Sequence, residues 1–291
     1  METAKRVVND SMIGLKLPDY ARHSSRVATV LGRNPGPFTG PGTNTFLVGE
    51  GPKPLLLDTG QGVPIYSELL SKAVSELCNA RQLDKIVLTH AHVDHIGGVK
   101  QVRSIFGELE VYKKPWPEHD GAAGCEIRVL QDGSRISTEG ATLRAIETPG
   151  HAPDHICYYL EEEKALFTGD VVLGAGTTVI PDDTGDLGHY LASLKRLLEV
   201  GAQTIYPAHG PVIRNPEKKI REYIAHRELR ERQILDTLDS GQLAVMAIVK
   251  KIYTDVPEYL HAAAASSVRS HLKKLAKEKI VAEHEGLWSI V

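Results

Sequence analysis

Between Val87 and Gly98 the chain reads VLTHAHVDHIGG, which puts His90, His92, Asp94 and His95 into six positions directly behind an apolar run. Imidazole nitrogen and carboxylate oxygen are the donors that borderline divalent ions such as zinc prefer. With only 13 histidines in 291 residues, three of them and an aspartate in so short a stretch are improbable as ordinary loop composition. Gly97 and Gly98 follow, and glycine lets another backbone approach closely. Further candidates lie in similar surroundings: His151 in ETPGHAPDH, Asp170 in FTGD and His209 in YPAHG, each with a glycine beside or just before it. Five histidines and two aspartates exceed the three or four protein ligands of one catalytic zinc and suit a two-metal centre. His155, four residues after His151, reads as a strand or supporting residue and stays out of the ligand set.

The surrounding elements are legible from periodicity. TFLVG (45–49) and PLLLDTG (54–60) are strand-like runs joined by a Gly/Pro turn, which predicts an antiparallel start. Ile65, Leu69, Leu70, Ala73 and Leu77 recur at helical spacing, and KIVL (85–88) returns as an apolar strand, so the HxHxDH stretch begins at a strand end. ATLRAIE, CYYLEE, KALFTGD and QTIYPAHG are again short and rich in β-branched or aromatic residues, each closing near a Gly, Asp or His. The ligand candidates therefore fall where strands stop. Mixed strands with interspersed helices predict an α/β fold with sheets flanked by helices.

After PAHGPVI the texture changes. A helical pattern runs from about Glu217 to Asp239 and stops before Gly241, which places a domain boundary near Val212 and divides the chain into 1–212 and 213–291. LAVMAIVKKIY, Pro257, a helix through Leu275 and a hairpin turning at Glu285-Gly286 complete three helices and a wing, as in a winged helix. In the last helix Ala265, Val268, Leu272 and Leu275 form an apolar stripe, while Arg269, Lys273, Lys274 and Lys277 lie on the other sides as a basic, solvent-facing surface that could contact RNA phosphates, with an ordinary solvated helix face as the simpler reading. Tyr253, Tyr259 and Trp288 could stack on bases or fill a core, and no role is assigned to them.

Composition bounds the function. A net charge of −3 does not advertise nucleic acid or membrane, although residues 1–213 carry 20 basic and 26 acidic side chains against 14 and 11 in 214–291. Three cysteines, Cys78, Cys125 and Cys157, without CxxC spacing, fit a reducing compartment rather than a disulfide framework. No apolar run approaches the roughly 20 residues of a membrane helix, so no membrane insertion is expected. Lys5, Arg6, Lys16, Arg22 and Arg26 alternate with Glu2, Asp10 and Asp19, unlike an acid-poor transit peptide. GDVVLGAG lacks the Gly/Lys/Ser spacing of a phosphate-cradling loop.

The motifs LLLDTG, THAHVDHIGG, TPGH, FTGD and YPAHG, in this order between Thr45 and Val212, resemble those of metallo-β-lactamase-fold hydrolases. The resemblance implies an αββα sandwich followed by a C-terminal winged-helix-like domain. It also implies a first metal on His90, His92 and His151, a second on Asp94, His95 and His209, and Asp170 bridging them. Asp58 matches the acid that orients ligand imidazoles in this family, with a plain turn cap as the simpler reading. Ala208 departs from the glycine common before the last histidine. Two Zn2+ per chain would lower the pKa of a shared water and polarise a carbonyl or phosphoryl oxygen, and Asp94 could orient that nucleophile. GRNPGPFTGPGTNTFLVG, GTTV, HGPVI, IYTDVPEYLH and HLKKLAKE resemble the beta-lactamase-like protein 2 group, mitochondrial endoribonucleases of single-stranded RNA. The expected function is thus a metal-dependent endoribonuclease in which a metal-bound hydroxide cuts single-stranded RNA. Mitochondrial matrix is the implied location, with cytosol as the alternative. A glyoxalase II-like thioesterase and a catalytically silent nucleic-acid-binding module are the competing expectations.

Overall fold

A computed structural model describes residue 12 and residues 14–254, 257–258 and 261–291. Glu2, Lys5, Arg6 and Asp10, on which the targeting question turns, lie outside the described residues, as does Tyr259. The first sheet has the order β1 (Tyr20–Arg22), β2 (Val27–Leu31), β3 (Asn44–Val48), β4 (Leu55–Leu57), β5 (Ile86–Val87), β6 (Val111–Lys113) and β7 (Ile127–Val129). Strands β1 to β4 pair antiparallel and β4 to β7 parallel. Helices α1 (Pro64–Cys78), α2 (Val93–Ile96), α3 (Val99–Phe106) and α4 (Pro117–Asp120) lie in the connections between the parallel strands. The second sheet has the order β12 (Thr204–Pro207), β11 (Ala165–Gly169), β10 (Ile156–Leu160), β9 (Ala141–Glu147) and β8 (Arg135–Thr138), followed in space by α5 (Leu187–Glu199) and the long α6 (Pro216–Leu238).

Every residue of β2, β3 and β4 is buried, because both faces of this sheet are covered. Alternation along each strand decides which layer receives each side chain. Ala28, Val30, Leu47 and Leu56 pack with Tyr66, Leu70 and Val102 of α1 and α3. Val27, Phe46, Val48, Leu55 and Leu57 meet Leu143, Ile156, Tyr158 and Phe167 of the second sheet. The opposite face of that sheet, with Ile146, Cys157 and Leu166, packs on Tyr190, Leu194, Ile220 and Tyr223 of α5 and α6. The result is an αββα sandwich.

The C-terminal unit comprises the far half of α6, α7 (Val245–Ile252), α8 (His261–Lys277) and a small sheet, β13 (Leu243–Ala244), β15 (Leu287–Ile290) and β14 (Val281–His284). Ala265, Val268, Leu272 and Leu275 are its apolar stripe and pack on Ile234, Leu238, Ile248 and Trp288. Glu285 (φ 51°) and Gly286 (φ 81°) both adopt the left-handed backbone that a two-residue hairpin turn requires. Trp288 belongs to this core, and Tyr253 packs partly buried against the same core with the Arg230 guanidinium 4.0 Å from its ring centroid.

The basic side of α8 has partners within the chain. Arg269 Nε is 2.5 Å from Asp182 Oδ2, Lys277 Nζ is 2.5 Å from Asp186 Oδ2, and Lys273 Nζ donates to the Asp182 carbonyl. Lys274 bridges Glu231 and Glu278, 2.8 Å from each. The helix spacing was legible, but the acidic partners come from the 182–186 loop and from α6, which only tertiary folding brings alongside. The four cations have partners within the chain, while Lys273 and Lys277 remain exposed to solvent. Leu272 is fully buried in this unit, so Leu272→Ala is expected to destabilise it by about 2–5 kcal/mol. Denaturant unfolding followed by tryptophan fluorescence measures this, and an unchanged midpoint would contradict the packing described.

Candidate metal centre

The topology brings five loops to one edge of the sandwich. Strands β4 and β5 are parallel neighbours, so the DTG turn and the HxHxDH stretch leave the sheet side by side. On the other sheet, His151 lies in the β9–β10 connection, Asp170 follows β11, and His209 follows β12, the parallel neighbour of β11. Gly98 permits the close approach of the first two loops, since a Cβ there would stand 2.1 Å from the Thr59 carbonyl oxygen. Gly169 (φ 48°) turns the chain under Asp170, where a Cβ would fall 2.5 Å from His155 Nε2.

All seven candidate ligands converge in two groups, His90, His92, His151 and Asp170, and Asp94, His95 and His209. His90 Nε2 and His151 Nε2 each lie 2.9 Å from His92 Nδ1, and His151 Nε2 is 3.4 Å from Asp170 Oδ2. The other Asp170 oxygen, Oδ1, faces His209 Nε2 at 3.1 Å and His95 Nε2 at 3.5 Å. Asp94 Oδ2 is 3.3 Å from His95 Nε2 and 3.4 Å from His209 Nε2. Four donors around an ion at roughly 2.0–2.1 Å stand about 3.3–3.4 Å apart in a tetrahedron, which is the spacing of this second group. Asp170 thus presents one oxygen to each group.

The outward hydrogen bonds decide what the rings present inward. The Thr89 hydroxyl donates to Asp58, so His90 Nδ1–H donates to Thr89 Oγ1 (3.0 Å) and the lone pair of His90 Nε2 points into the centre. His151 Nδ1–H donates to the Val179 carbonyl (2.8 Å) with the same result. His95 Nδ1–H donates to Asp58 Oδ2 at 2.8 Å. Asp58, buried and left-handed (φ 58°), also accepts from Thr89 N–H at 2.8 Å, so it joins the two loops and orients His95. It is therefore more than a turn cap. His95 Nε2 and Asp170 Oδ1 are buried without a hydrogen-bond partner among the described residues. Such orphaned atoms, aimed at one point by a set of imidazole and carboxylate donors, fit a pair of divalent ions.

The electrostatics divide the centre. Burial, reinforced by His95, pushes His90 well below the usual imidazole range, and burial beside His151 takes His92 down to about 4. Burial also lowers His151. These three rings are neutral. At His209 burial is outweighed by Asp170 and Asp94, which raise it to about 9, and at His95 burial is outweighed by Asp94, Asp170 and Asp58, which raise it well above its ordinary value. Burial opposes ionisation of Asp94 and Asp170, yet His95 and His209 hold both carboxyls well below the usual carboxylate range.

Several contributors carried no sequence signal. Thr43 Oγ1 donates to Asp94 Oδ2 (2.8 Å) and is itself fixed by Asn34. Asn44 Nδ2 donates to the carbonyls of Pro207 and Gly210, fastening the His209 loop. Ala208 does not have left-handed backbone and its methyl is buried, so alanine is accommodated there. His155 accepts from Asp170 N–H at 3.1 Å through Nε2, which spends the lone pair a ligand would need and leaves it a support for Asp170. Lys113, fully buried, pairs with Asp154 (2.6 Å) in the β9–β10 connection and with Asp120 (2.7 Å).

The centre opens into a cleft of about 620 Å³. Its walls include Phe38, Val93, Leu173, Val179 and Pro181, and among the described residues no lysine or arginine lines it. Phe38, Val93 and Val179 are 67%, 60% and 47% exposed, so an apolar rim surrounds the polar floor.

Comparison with known proteins accords with this geometry. Residues 38–209 match the metallo-beta-lactamase superfamily model. The chain belongs to that superfamily. Its centre is accordingly that of a metal-dependent hydrolase. Residues 244–288 match the beta-lactamase associated winged helix domain. The superfamily member "Beta-lactamase-like protein 2 homolog" of Caenorhabditis elegans is 40% identical over 263 residues, 89% of this chain and 86% of that one. "Atrochrysone carboxyl ACP thioesterase" of Aspergillus chevalieri is 40% identical over 277 residues, 91% of this chain and 86% of its own. The crystal structure of a beta-lactamase domain protein from Burkholderia ambifaria shares the fold, with a TM-score of 0.81 at 17% identity and 96% of each chain covered. Among the described residues no helix is long and apolar enough to cross a membrane.

Two outcomes follow. His209, near pKa 9 without metal, is protonated at pH 7 and must lose that proton to ligate. Affinity of the Asp94/His95/His209 group is therefore expected to rise as pH rises toward 9 and to fall in acid before that of the neutral trio. Calorimetric titration with metal in buffers of different ionisation enthalpy reads the released protons, and buffer-independent heats would contradict the assignment. Asp58→Ala, which frees His95 and Thr89, is expected to weaken metal binding about 10–100-fold, measured by chelator competition.

Proposed function

We propose that this chain is a dinuclear zinc hydrolase of thioesters with apolar acyl groups. The observation that supports this reading is the cleft lining. Apart from the ligand groups, the described residues that line it include no titratable side chain and no cation, only apolar residues, threonines and a glycine. Beyond the metal ligands, a polyanion would find no lysine or arginine on the described walls to hold its further phosphates. A thiol ionises near pH 8.5 and departs as thiolate without a proton donor, so thioester cleavage asks for no further acid from these walls. The identity with an acyl carrier protein thioesterase points the same way.

His90, His92 and His151 would hold one ion, Asp94, His95 and His209 the other, and Asp170 both. Zinc at this site supplies a water ionised near neutral pH and a Lewis acid for the electrophile's oxygen. Asp94 lines the cleft with Oδ2 held by Thr43, and we assign its remaining oxygen the task of orienting and deprotonating the attacking water. Val179 and Phe38 cover the acyl chain and exclude bulk water, while the Val179 carbonyl keeps His151 in its ligating tautomer.

A second reading, the endoribonuclease of single-stranded RNA, is supported by the 40% identity with the beta-lactamase-like protein 2 homologue and by the motifs shared with that group. Mitochondrial residence goes with that reading. A silent centre is disfavoured by the complete donor set. Zinc-loaded protein assayed against acyl-N-acetylcysteamine thioesters, S-lactoylglutathione, single-stranded RNA and matching DNA separates the readings. For the thioesters kcat/KM is expected to climb with chain length, by up to about fourfold per buried methylene. Asp94→Ala is expected to lower turnover at least about 100-fold. RNA cleavage that disappears in Asp94→Ala, with thioesters untouched, would replace the first reading by the second.

A further inference from the structure

The segment 170–186 leaves β11 with Asp170, supplies Leu173, Thr178, Val179 and Pro181 to the cleft, and ends at Asp186, the cap of α5. It contains no helix or strand, so its conformation depends on partners from elsewhere. Helix α6 provides the first set. The Tyr223 hydroxyl bonds the Gly176 carbonyl and the Leu173 N–H, both at 3.0 Å, and Arg227 donates to the Thr178 carbonyl. Helix α8 of the winged-helix unit provides the second. Ser270 Oγ donates to the Ile180 carbonyl (3.1 Å), Arg269 and Lys273 engage Asp182, and Lys277 engages Asp186. Ile180 and Asp182 are the residues on either side of Pro181, so α8 reaches within one residue of the cleft wall.

We propose that the cationic side of α8 positions the substrate cleft: Arg269, acting through Asp182, seats the Val179–Pro181 wall and thereby sets substrate affinity. Magnitude decides between this role and a structural one. Arg269 and Asp182 are 41% and 32% exposed, and such a pair alters an equilibrium only a few-fold. That is too little to hold the winged-helix unit in place, whose own core is apolar, yet enough to shift a loop between seated and unseated populations. The buried Ser270 contact then acts as the hinge of the arrangement and the ion pairs as its latch. This assignment does not depend on which electrophile the centre hydrolyses.

The test follows the full-length, metal-loaded protein by amide hydrogen exchange and by steady-state kinetics on whichever substrate it turns over. Arg269→Ala is expected to speed exchange in 176–186 about fivefold and to raise KM by a similar factor, with kcat changed less than about twofold. Metal content and exchange in α1 should stay as in the parent. Arg269→Lys should keep most of the parent behaviour, and the swap of Arg269→Asp with Asp182→Arg should restore KM where either change alone does not. Lys277→Ala, at a more exposed position, is the parallel variant should Arg269→Ala not fold, with the same signature at smaller amplitude. Unchanged exchange and KM in the folded variants, or a swap no better than the single changes, would overturn the proposal. Failure to cleave thioesters would leave the exchange result intact, so the two readings fail separately.

Discussion

Asp94 and Asp170 both face the Nε2 atoms of His95 and His209 in a pocket where those imidazoles are buried. Two carboxylates withdrawn from water must be neutralised by positive charge close at hand. Protons on His95 and His209 can provide it, and so can divalent ions held by the same atoms. Folding therefore builds a site with a demand for cations before any substrate arrives. On the other side His90, His92 and His151 are kept neutral by burial, offering lone pairs without competing charge.

That arrangement depends on bonds made away from the centre. Thr89, Val179 and Asp58 each take the outward N–H of a ligand ring, which removes the choice of tautomer. Asp58 does so from the end of β4 and Thr89 from the end of β5, so the parallel pairing of two strands is translated into the direction of His90 and His95. Buried Lys113 and Asp154 tie β6 to the β9–β10 connection that carries His151. Removing one partner of such a pair leaves an uncompensated charge in the interior, which makes it a rigid anchor.

A metal-dependent hydrolase centre can serve many electrophiles, so discrimination belongs to the walls. One wall comes from the loop ahead of β3, with Phe38, and the other from the 170–186 segment, which α6 and α8 hold from behind. Helix α6 contributes Ile220 and Tyr223 to the catalytic core and Ile234 and Leu238 to the winged-helix core. One rigid element thus spans both units. From the winged-helix unit, Arg269, Lys273 and Lys277 of α8 reach Asp182 and Asp186 of the 170–186 segment.

The chemistry-bearing residues were legible because metal binding demands rare residue types at short spacing, and HxHxDH with the later His151, Asp170 and His209 meets that demand in any surroundings. The apolar stripe of α8 and the Glu285-Gly286 turn were legible for a similar reason, since periodicity and left-handed backbone are local properties. Thr43, Lys113 and the Val179 carbonyl were not, because a threonine, a lysine and a peptide oxygen acquire their roles only from neighbours distant in sequence. The fate of Arg269, Lys273 and Lys277 shows the same division. By itself the sequence determined that one side of a helix would be basic and that seven side chains were suited to metals. Only the tertiary structure decided that Asp182 and Asp186 would meet those cations and that the cleft would be apolar, because charge pairing and cavity walls arise between segments that folding alone makes adjacent.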